Sequence, residues 1–394
     1  MNLGILLFIL AIEVVIAIHE AGHFLVAKLF NFKASQYFLG FGPTLWSTRR
    51  GETEYGFKAL PLGGFVKIIG MNPYEEVPPE DEPRSYTNKP RWQRALVLVA
   101  GSATHWVVAF VLLVFASMAI GFPTGEATTV IDSVTDEIDG SPTAAGRLGL
   151  QPEDRIVGVV GTSADEWNEI SSYIKEHPGE PVTFEIERDG EITESQVDLG
   201  QAIFSESGEV VAFAAPGAEL RSLEPGETRG GFLGVSPEPE FETKALPGAI
   251  SDAGYFTWDV TKRSVEGIGQ VFGMVFDGTL WNALTGSGER SVDEGPLGIV
   301  SAGRIAGETV SSGRYLDFIG LVVGFTIFVG LMNLLPLPPL DGGHLAVVAY
   351  EAITGRSVDL RKLIPVAAAV ISFFVLLFLA VLYLDLARPI SVPL

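Results

Sequence analysis

Four long apolar stretches constrain this chain of 394 residues more than any other feature. A helix that crosses the hydrocarbon core of a bilayer needs about 20 consecutive apolar residues. Residues 95–121, 318–340 and 363–384 meet this length without a single Asp, Glu, Lys or Arg. Residues 3–30 are strongly apolar too, but they contain five ionisable side chains: Glu13, His19, Glu20, His23 and Lys28. The sequence therefore predicts a polytopic α-helical membrane protein with four spans in a lipid bilayer.

The ionisable side chains in the first stretch decide how it is interpreted. A cleaved signal peptide is the alternative, but no basic residues precede the apolar run and no small-residue cleavage signal follows it. Ionisable groups inside a span are energetically costly and mark a functional site by default. We therefore expect a retained span that carries chemistry.

Charge is distributed unevenly along the chain, and this predicts its orientation. Lys28 and residues 31–94 contribute ten basic against seven acidic residues, and the short loop 347–362 contains three basic ones. Residues 122–316 hold 12 basic and 34 acidic residues, which accounts for the whole net charge of −22. Because short basic loops stay in the cytoplasm, we predict that the acidic segment and both termini lie outside the cell membrane. A nucleic-acid partner is not expected, because such proteins usually carry a basic patch.

The acidic segment contains a predicted β-rich domain at residues 127–202. Val182, Phe184 and Ile186 alternate with polar residues, and Asp189-Gly190 is a hairpin signal. Residues 145–161 resemble the turn and strand of a PDZ domain, which binds a peptide by adding it to a sheet edge. An unrelated β-rich domain is the alternative. We predict a peptide or protein ligand for this domain.

The remaining soluble segments carry weaker patterns. Residues 203–230 are rich in Gly, Glu and Ala and predict a linker, whereas the dense but interrupted apolar residues of 245–285 predict helices on the outer membrane face. On the cytoplasmic side, residues 54–69 alternate loosely and predict a short hairpin or an exposed edge strand.

The sharpest chemical signal is His19-Glu20-Ala21-Gly22-His23. Histidines at positions i and i+4 share one helix face and reach one zinc ion, and the glutamate between them is placed to accept a proton from water. A polar helix-packing cluster is the alternative. In an apolar helix these groups are costly unless they are paired or ligated, which favours the metal. The absence of cysteine excludes thiolate ligands and cysteine nucleophiles.

A catalytic zinc usually takes three protein ligands, so a third is required. The candidates inside the spans are Glu13, His105, Asp341 and His344. Asp341 follows a segment broken by three prolines and precedes Gly342-Gly343, and broken backbone at membrane depth is tolerated only inside protein or beside a water-filled cavity. An aspartate that caps the next helix is the alternative at this position.

Together these motifs resemble the site-2 protease family of intramembrane zinc metalloproteases, and more closely its bacterial branch that cleaves anti-sigma factors. The likeness covers most of the chain. Its motifs are His-Glu-Ala-Gly-His at 19–23, Gly-Phe-Gly-Pro at 40–43, Glu54-Tyr55 with Pro-Leu-Gly-Gly-Phe-Val-Lys at 61–67, Gly-Pro-Leu-Gly-Ile at 295–299, and Asn-Leu-Leu-Pro-Leu-Pro-Pro-Leu-Asp-Gly-Gly at 333–343.

The resemblance implies one zinc ion per chain, held by His19, His23 and Asp341, with Glu20 as the general base. It also implies that Asn333 helps hold the substrate and that the strand edge around Gly63, Gly64, Phe65 and Val66 pairs with an unwound substrate. The substrates implied are membrane proteins with a single span, such as anti-sigma factors, which are first trimmed outside the cell. The active site is expected toward the cytoplasmic side of the inner or plasma membrane.

One departure concerns the second span, where the family usually has Gly-Pro-x-x-Asn and this chain has Gly101-Ser-Ala-Thr-His105. His105 is interpreted as a packed histidine or a partner of a ligand rather than a fourth ligand. His344 is likewise expected to support the site without binding metal.

The predicted fold class is thus a four-span helical membrane protein with an inserted PDZ-like domain and a small cytoplasmic membrane-associated β element. The predicted order is a first span with the zinc motif (1–30), a cytoplasmic hairpin and loop region (31–92), a second span (93–121), the PDZ-like domain (127–202), a linker with membrane-surface helices (203–316), a third span with the Asp-Gly-Gly motif (317–346) and a fourth span (363–386). Two rival functions are a non-catalytic PDZ-bearing membrane scaffold and a zinc- or proton-coupled transporter. Four spans without a visible repeat weigh against the transporter.

Overall fold

The computed structural model describes residues 3–72, 74–159, 162–163, 166–286 and 296–389. They form two compact units: the first holds the described residues up to Ala119 and from Lys244 onward, and the second is Ile120–Thr243. Three residues of the motifs above, Val160, Gly161 and Gly295, lie outside the described residues.

The elements of the first unit are α1 (Leu3–Leu29), β1 (Ala34–Arg50), β2 (Thr53–Ile68) and α2 (Arg91–Ala119) before the second unit. The second unit contains β3 (Phe122–Val134), β4 (Glu137–Ile138), β5 (Ser141–Pro142), α3 (Ala144–Leu148), β6 (Arg155–Val159), β7 (Thr162–Ser163), α4 (Trp167–Glu176), β8 (Pro181–Arg188), β9 (Glu191–Asp198), β10 (Gly200–Phe204), β11 (Val210–Ala214), β12 (Thr228–Phe232) and β13 (Val235–Glu242). The first unit then continues with α5 (Leu246–Phe276), α6 (Thr279–Thr285), α7 (Ile299–Ser311), α8 (Tyr315–Asn333), α9 (Asp341–Thr354) and α10 (Ile364–Ala387).

Within the described residues, four helical segments are long and apolar enough to cross a membrane, which agrees with the four predicted spans. They are α1, α2, α8 and residues 360–387, where a 3-10 turn leads into α10. The third contains the break that its prolines predict. Helix α8 ends at Asn333 and α9 begins at Asp341, because Pro336, Pro338 and Pro339 cannot continue a regular helix. The predicted third span at 317–346 is therefore two helices joined by residues 334–340.

Small residues bring the helices of the first unit close together. A Cβ atom on Gly22 of α1 would lie 2.6 Å from the carbonyl oxygen of Ala100 on α2, and one on Gly4 would lie 2.2 Å from that of Ala306 on α7. Only glycine permits these backbone contacts, which are typical of helices packed in a membrane. The zinc-motif helix α1 is thus held against α2 and α7.

The hairpin formed by β1 and β2 is longer than predicted, with strands of 17 and 16 residues. Leu39 of β1 pairs with both Phe57 and Gly64, so the first half of β1 lies between the two halves of β2. At the turn, hydrogen bonds from Arg84 and Lys28 hold the pKa of Glu52 at about 2. Residues 64–68 pair with β1 on one side, and no described strand pairs with their other side. The hairpin is therefore present but is longer than predicted. Its exposed edge is formed by residues 64–68 of β2.

The second unit contains a six-stranded sheet in the order β13-β3-β6-β8-β9, with β7 beside β6, and a three-stranded sheet in the order β11-β10-β12. The hairpin turn at Asp189-Gly190 is confirmed, because Arg188 pairs with Glu191 and both turn residues have positive φ. The predicted linker at 203–230 was wrong, since β11 and β12 lie there. Their pairing with β10 extends the unit to Thr243, well past residue 202. A linker was predicted because these short strands carry little periodic pattern.

Helix α5 covers most of the segment 245–285, for which membrane-surface helices are predicted. The indole Nε1 of Trp106, in the middle of α2, donates to Thr261 Oγ1 of α5 at 3.0 Å, and the ring of Phe272 stacks on Phe373 of α10. The 31-residue helix therefore packs against α2 and has a ring contact with α10. Its place at the outer membrane face stays a prediction. The charged residues of α5 interrupt its apolar pattern, so the sequence alone did not predict this packing.

Candidate metal centre

Three side chains from two distant segments converge in the first unit. The Nε2 atoms of His19 and His23 are 3.1 Å apart, and Asp341 Oδ2 lies 3.4 Å from the first and 3.2 Å from the second. Ligand atoms held about 2.0–2.2 Å from a tetrahedral zinc ion are separated by roughly 3.3–3.5 Å. The spacing of the three atoms therefore fits a shared zinc ion.

The local sequence explains how Asp341 reaches the histidines of α1. Cβ atoms on Gly342 and Gly343 would lie 2.2 Å from the Leu334 oxygen and 2.5 Å from the Pro338 nitrogen. Only glycine lets the start of α9 pack against the proline-broken loop, and this packing directs the preceding aspartate toward α1. The structure favours a ligand position over a helix cap, because Asp341 is itself the first residue of α9 and its Oδ2 lies beside His19 and His23.

The second nitrogen of each histidine also has a partner. His23 Nδ1 lies 2.8 Å from the Val97 carbonyl oxygen, and His19 Nδ1 lies 3.0 Å from His105 Nε2. Such partners fix the tautomer of a histidine so that the other nitrogen faces a metal. A Cβ atom on Gly101 would lie 2.2 Å from His23 Nε2, so this glycine makes room for the imidazole.

Two residues of α2 that are one helical turn apart thus contact the two histidines of α1. Gly101 faces His23, and His105 faces His19. Among the described residues, His105 is not part of the group of side chains that converge as metal ligands. His105 contacts Nδ1 of His19, whereas Nε2 of His19 is the nitrogen near Asp341. The arrangement favours a supporting role for His105, which is 1% exposed.

Glu20 and three of the five predicted substrate residues line one cavity of about 220 Å³. Its walls include His19, His23 and Asp341 together with Glu20, Phe65, Val66 and Asn333. A Cβ atom on Gly64 would lie 3.1 Å from Glu20 Cγ, and the backbone of Val66 is hydrogen-bonded to the Glu20 carboxylate. The edge of β2 therefore lies directly beside the candidate base.

The remaining predicted residues lie near this site without joining the ligand group. Gly63 has φ of +119°, and its backbone contacts Glu13 of α1. His344 follows Asp341 by one turn of α9. Neither Glu13 nor His344 belongs to the converging group found among the described side chains.

Two contributors to the site escaped the sequence analysis. The carbonyl of Val97 has no sequence signal, because every residue has a backbone oxygen. The space that Gly101 leaves for His23 had a weak sequence signal, because Gly101 and His105 are one helical turn apart and lie on the same helix face.

Comparison with known proteins agrees with this geometry. The model of the family described as Peptidase family M50 matches residues 7–379. Zinc metalloprotease Rip1 of Mycolicibacterium smegmatis is 34% identical over 419 residues, which cover 99% of each chain. Metalloprotease MmpA of Caulobacter vibrioides is 29% identical and covers 89% of this chain and 86% of its own. Zinc metalloprotease RasP of Geobacillus kaustophilus is 27% identical over 98% of both chains.

Proposed function

This chain belongs to peptidase family M50, the site-2 protease family, and on that premise we propose that it cleaves a peptide bond in or near the spanning helix of a membrane protein. The chain is a membrane zinc metalloprotease, which sets aside the scaffold and transporter alternatives. The proposed substrates are membrane proteins with a single span, such as anti-sigma factors, after a first extracytoplasmic cut. The convergence of His19, His23 and Asp341 beside an open strand edge supports this function most strongly.

Each polar group of the site has a proposed task. His19, His23 and Asp341 would hold the zinc ion, which would supply Lewis acidity at the site. Glu20 accepts a proton from water and returns it to the leaving amine. His105 and the Val97 carbonyl hold the two imidazoles in orientation. Asn333, at the end of α8, lines the same cavity and is proposed to bind the substrate backbone.

The open edge of β2 addresses a problem that any helical substrate presents. Inside a helix the peptide bond is shielded, and unwinding it in a membrane leaves backbone groups without partners, each costing several kcal/mol. A strand edge offers replacement hydrogen bonds to an extended peptide. Gly63, Gly64, Phe65 and Val66 form such an edge next to Glu20, so we propose that the substrate is extended there before cleavage.

The β-rich second unit is proposed to be PDZ-like and to screen substrates outside the cell. Of the β3 residues, Val130 alone pairs with β6 in the described structure, so residues 126–129 have an open side. A cavity of about 510 Å³ lies there, bounded by these residues and by Trp167 and Asn168 at the start of α4. Strand addition between β3 and α4 would place a peptide in this cavity. With this unit and both termini outside, the zinc site faces the cytoplasmic side.

Glu20→Gln tests the proposed mechanism. We expect the variant to retain zinc and to lose about 100- to 10,000-fold in cleavage of a model spanning helix, because a general base contributes a factor of this size. Glu266→Gln, on the exposed side of α5, is the control and should cleave like the parent chain. Zinc per chain and turnover are measured for all three proteins. Near-parental cleavage by Glu20→Gln would remove Glu20 from the mechanism.

A further inference from the structure

A third cavity, of about 820 Å³, lies where two of the candidate spans begin. Arg91, the first residue of α2, and Leu360, the first residue of the segment leading into α10, both line it. It shares no described lining residue with the cavity around the zinc ligands. Because the hydrocarbon core is about 30 Å thick and headgroups lie just beyond it, the start of a span lies at headgroup level.

The wall of this cavity is basic in a strongly acidic protein. Four cationic side chains line it, Lys89, Arg91, Arg94 and Arg361, against two carboxylates. Hydroxyl and amide groups of Thr87, Asn88 and Ser357 add neutral hydrogen-bonding groups. The excess of two positive charges contrasts with the net charge of −22 for the whole chain. The cavity therefore favours an anion.

Arg94 is a rigid, buried part of the wall. It is 8% exposed, donates from Nη1 to Glu351 Oε2 at 2.7 Å, and lies over the ring of Tyr86 with Cζ 4.8 Å from the centroid. Its Nε is buried and has no hydrogen-bond partner among the described atoms. A guanidinium carries five N–H donors, so Arg94 has donor capacity that Glu351 does not use.

The two carboxylates of the wall are already engaged by neighbouring donors. Glu351 also accepts from the Val358 amide at 3.1 Å, and Asp359 accepts from the Arg361 amide at 3.1 Å. Lys89 and Arg91 form no ion pair with any described residue; Lys89 donates to the Phe30 carbonyl oxygen at 2.8 Å. Two cations at the mouth are thus left without a counter-charge at the level of the headgroups.

We propose that this cavity binds the phosphate group of an anionic lipid headgroup at the membrane surface where α2 and α10 begin. Arginine is well suited to phosphate, because its planar donors match two phosphate oxygens at once. The volume lies in the usual range for a small-molecule site. The bound phosphate would contact α2 and the end of α9, whose first residue is Asp341. This proposal is independent of the protease mechanism.

Lipid binding tests the proposal on the full chain in nanodiscs of phosphatidylcholine with increasing phosphatidylglycerol. We expect saturable retention of phosphatidylglycerol, detected by native mass spectrometry after transfer to detergent. Arg91→Gln and Arg361→Gln should each lower retention about fivefold, the factor for one basic side chain at an anionic surface. Arg50→Gln, which removes an exposed arginine from the β1–β2 turn, is the matched control. Zinc content verifies that each variant is folded.

A second arm distinguishes the source of the phosphate. Inorganic phosphate is added to the detergent-solubilised chain and its binding is measured by calorimetry. Tight binding of free phosphate that Arg91→Gln abolishes would show a soluble anion as the occupant and overturn the lipid assignment. Equal loss of phosphatidylglycerol in Arg50→Gln, or no loss in either cavity variant, would reduce the effect to general surface charge and overturn the site itself.

Discussion

The two units of the molecule differ in what they do with buried polar side chains. In the first unit such groups are linked across helices. The candidate metal ligands His23 and Asp341 join α1 to α9, and Arg94 on α2 pairs with Glu351 on α9. Asp385 on α10 accepts from the backbone amides of Val300 and Ser301 at the start of α7. In the second unit an apolar cluster around Ile156 and Phe184 fills the interior, and exposed side chains form the ion pairs Arg155–Glu187 and Arg221–Glu224.

The difference follows from the surroundings of each unit. In an apolar environment an unpartnered polar group costs several kcal/mol, so a polar residue remains there only if it joins helices or performs chemistry. In the second unit water screens the charges, and surface ion pairs contribute little to stability. We therefore expect substitutions of buried polar groups to impair zinc binding and cleavage in the first unit and to leave both nearly unchanged in the second.

Asp341→Ala should have the largest effect, because it removes one of three converging ligand atoms. We expect zinc content to fall from about one per chain toward zero, with loss of all cleavage. His105→Ala should retain zinc, because His105 contacts the metal-distal nitrogen of His19. Metal content of both purified variants is measured beside the parent chain. Full zinc in Asp341→Ala with empty His105→Ala would reverse the ligand assignment.

Gly101→Ala should come next, because its new methyl group would lie 2.2 Å from His23 Nε2. Displacing a ligand in this way is expected to weaken zinc binding about 10- to 100-fold, as loss of supporting contacts does. Gly324→Ala on α8 is the matched control, since a Cβ atom there meets nothing within 4 Å. Zinc competition with a chelator measures both. Equal zinc affinity in the two variants would contradict this prediction, because it would mean that α1 and α2 move apart to admit the methyl group at no energetic cost.

Val66→Pro should lower the cleavage of a helical substrate about tenfold, the worth of one backbone hydrogen bond, with zinc unchanged. Gly64→Pro should act in the same direction. Val66→Thr keeps the amide and a β-branched side chain, and is expected to cleave normally. Because Val66 also contacts Glu20, a short unstructured peptide is assayed in parallel. An equal loss with that peptide would assign the effect to Glu20 rather than to substrate pairing.

Asp154→Asn should have the smallest effect on cleavage, although it breaks a buried contact of the second unit. The carboxylate accepts from Nε and Nη2 of Arg188, both at 2.6 Å, and from the Gln151 amide. We expect a loss of about 1.5–3 kcal/mol in unfolding free energy of this unit and unchanged zinc content. Chemical denaturation followed by tryptophan fluorescence measures it.

The same contact predicts a pH dependence. The Arg188 guanidinium holds the pKa of Asp154 below its usual range. The stabilisation is therefore fully present above about pH 4 and is lost as the pH falls through the folded-state pKa. Asp154→Asn should be less sensitive to pH in this window. An identical acid response in both proteins would contradict the assignment.

The sequence by itself determined the features that depend on neighbours along the chain. Run length and apolar composition predicted four spans, the i, i+4 histidines predicted a shared helix face, and the prolines before Asp341 predicted a broken helix. The Asp189-Gly190 turn was equally local. Each of these features depends on a few consecutive residues and does not depend on contacts with distant parts of the chain.

Only the tertiary structure decided which distant groups meet. The sequence places Gly101 one turn from His105 but does not show that it faces His23. Nothing in the sequence shows that the Val97 carbonyl orients His23 or that α5 packs along α2 as far as Trp106. The strands at 210–214 and 228–232 form because β10 lies between them, although their own pattern is weak. The reason is physical: close packing and hydrogen bonding between segments depend on three-dimensional distance. A single sequence does not show which of its distant residues are in contact.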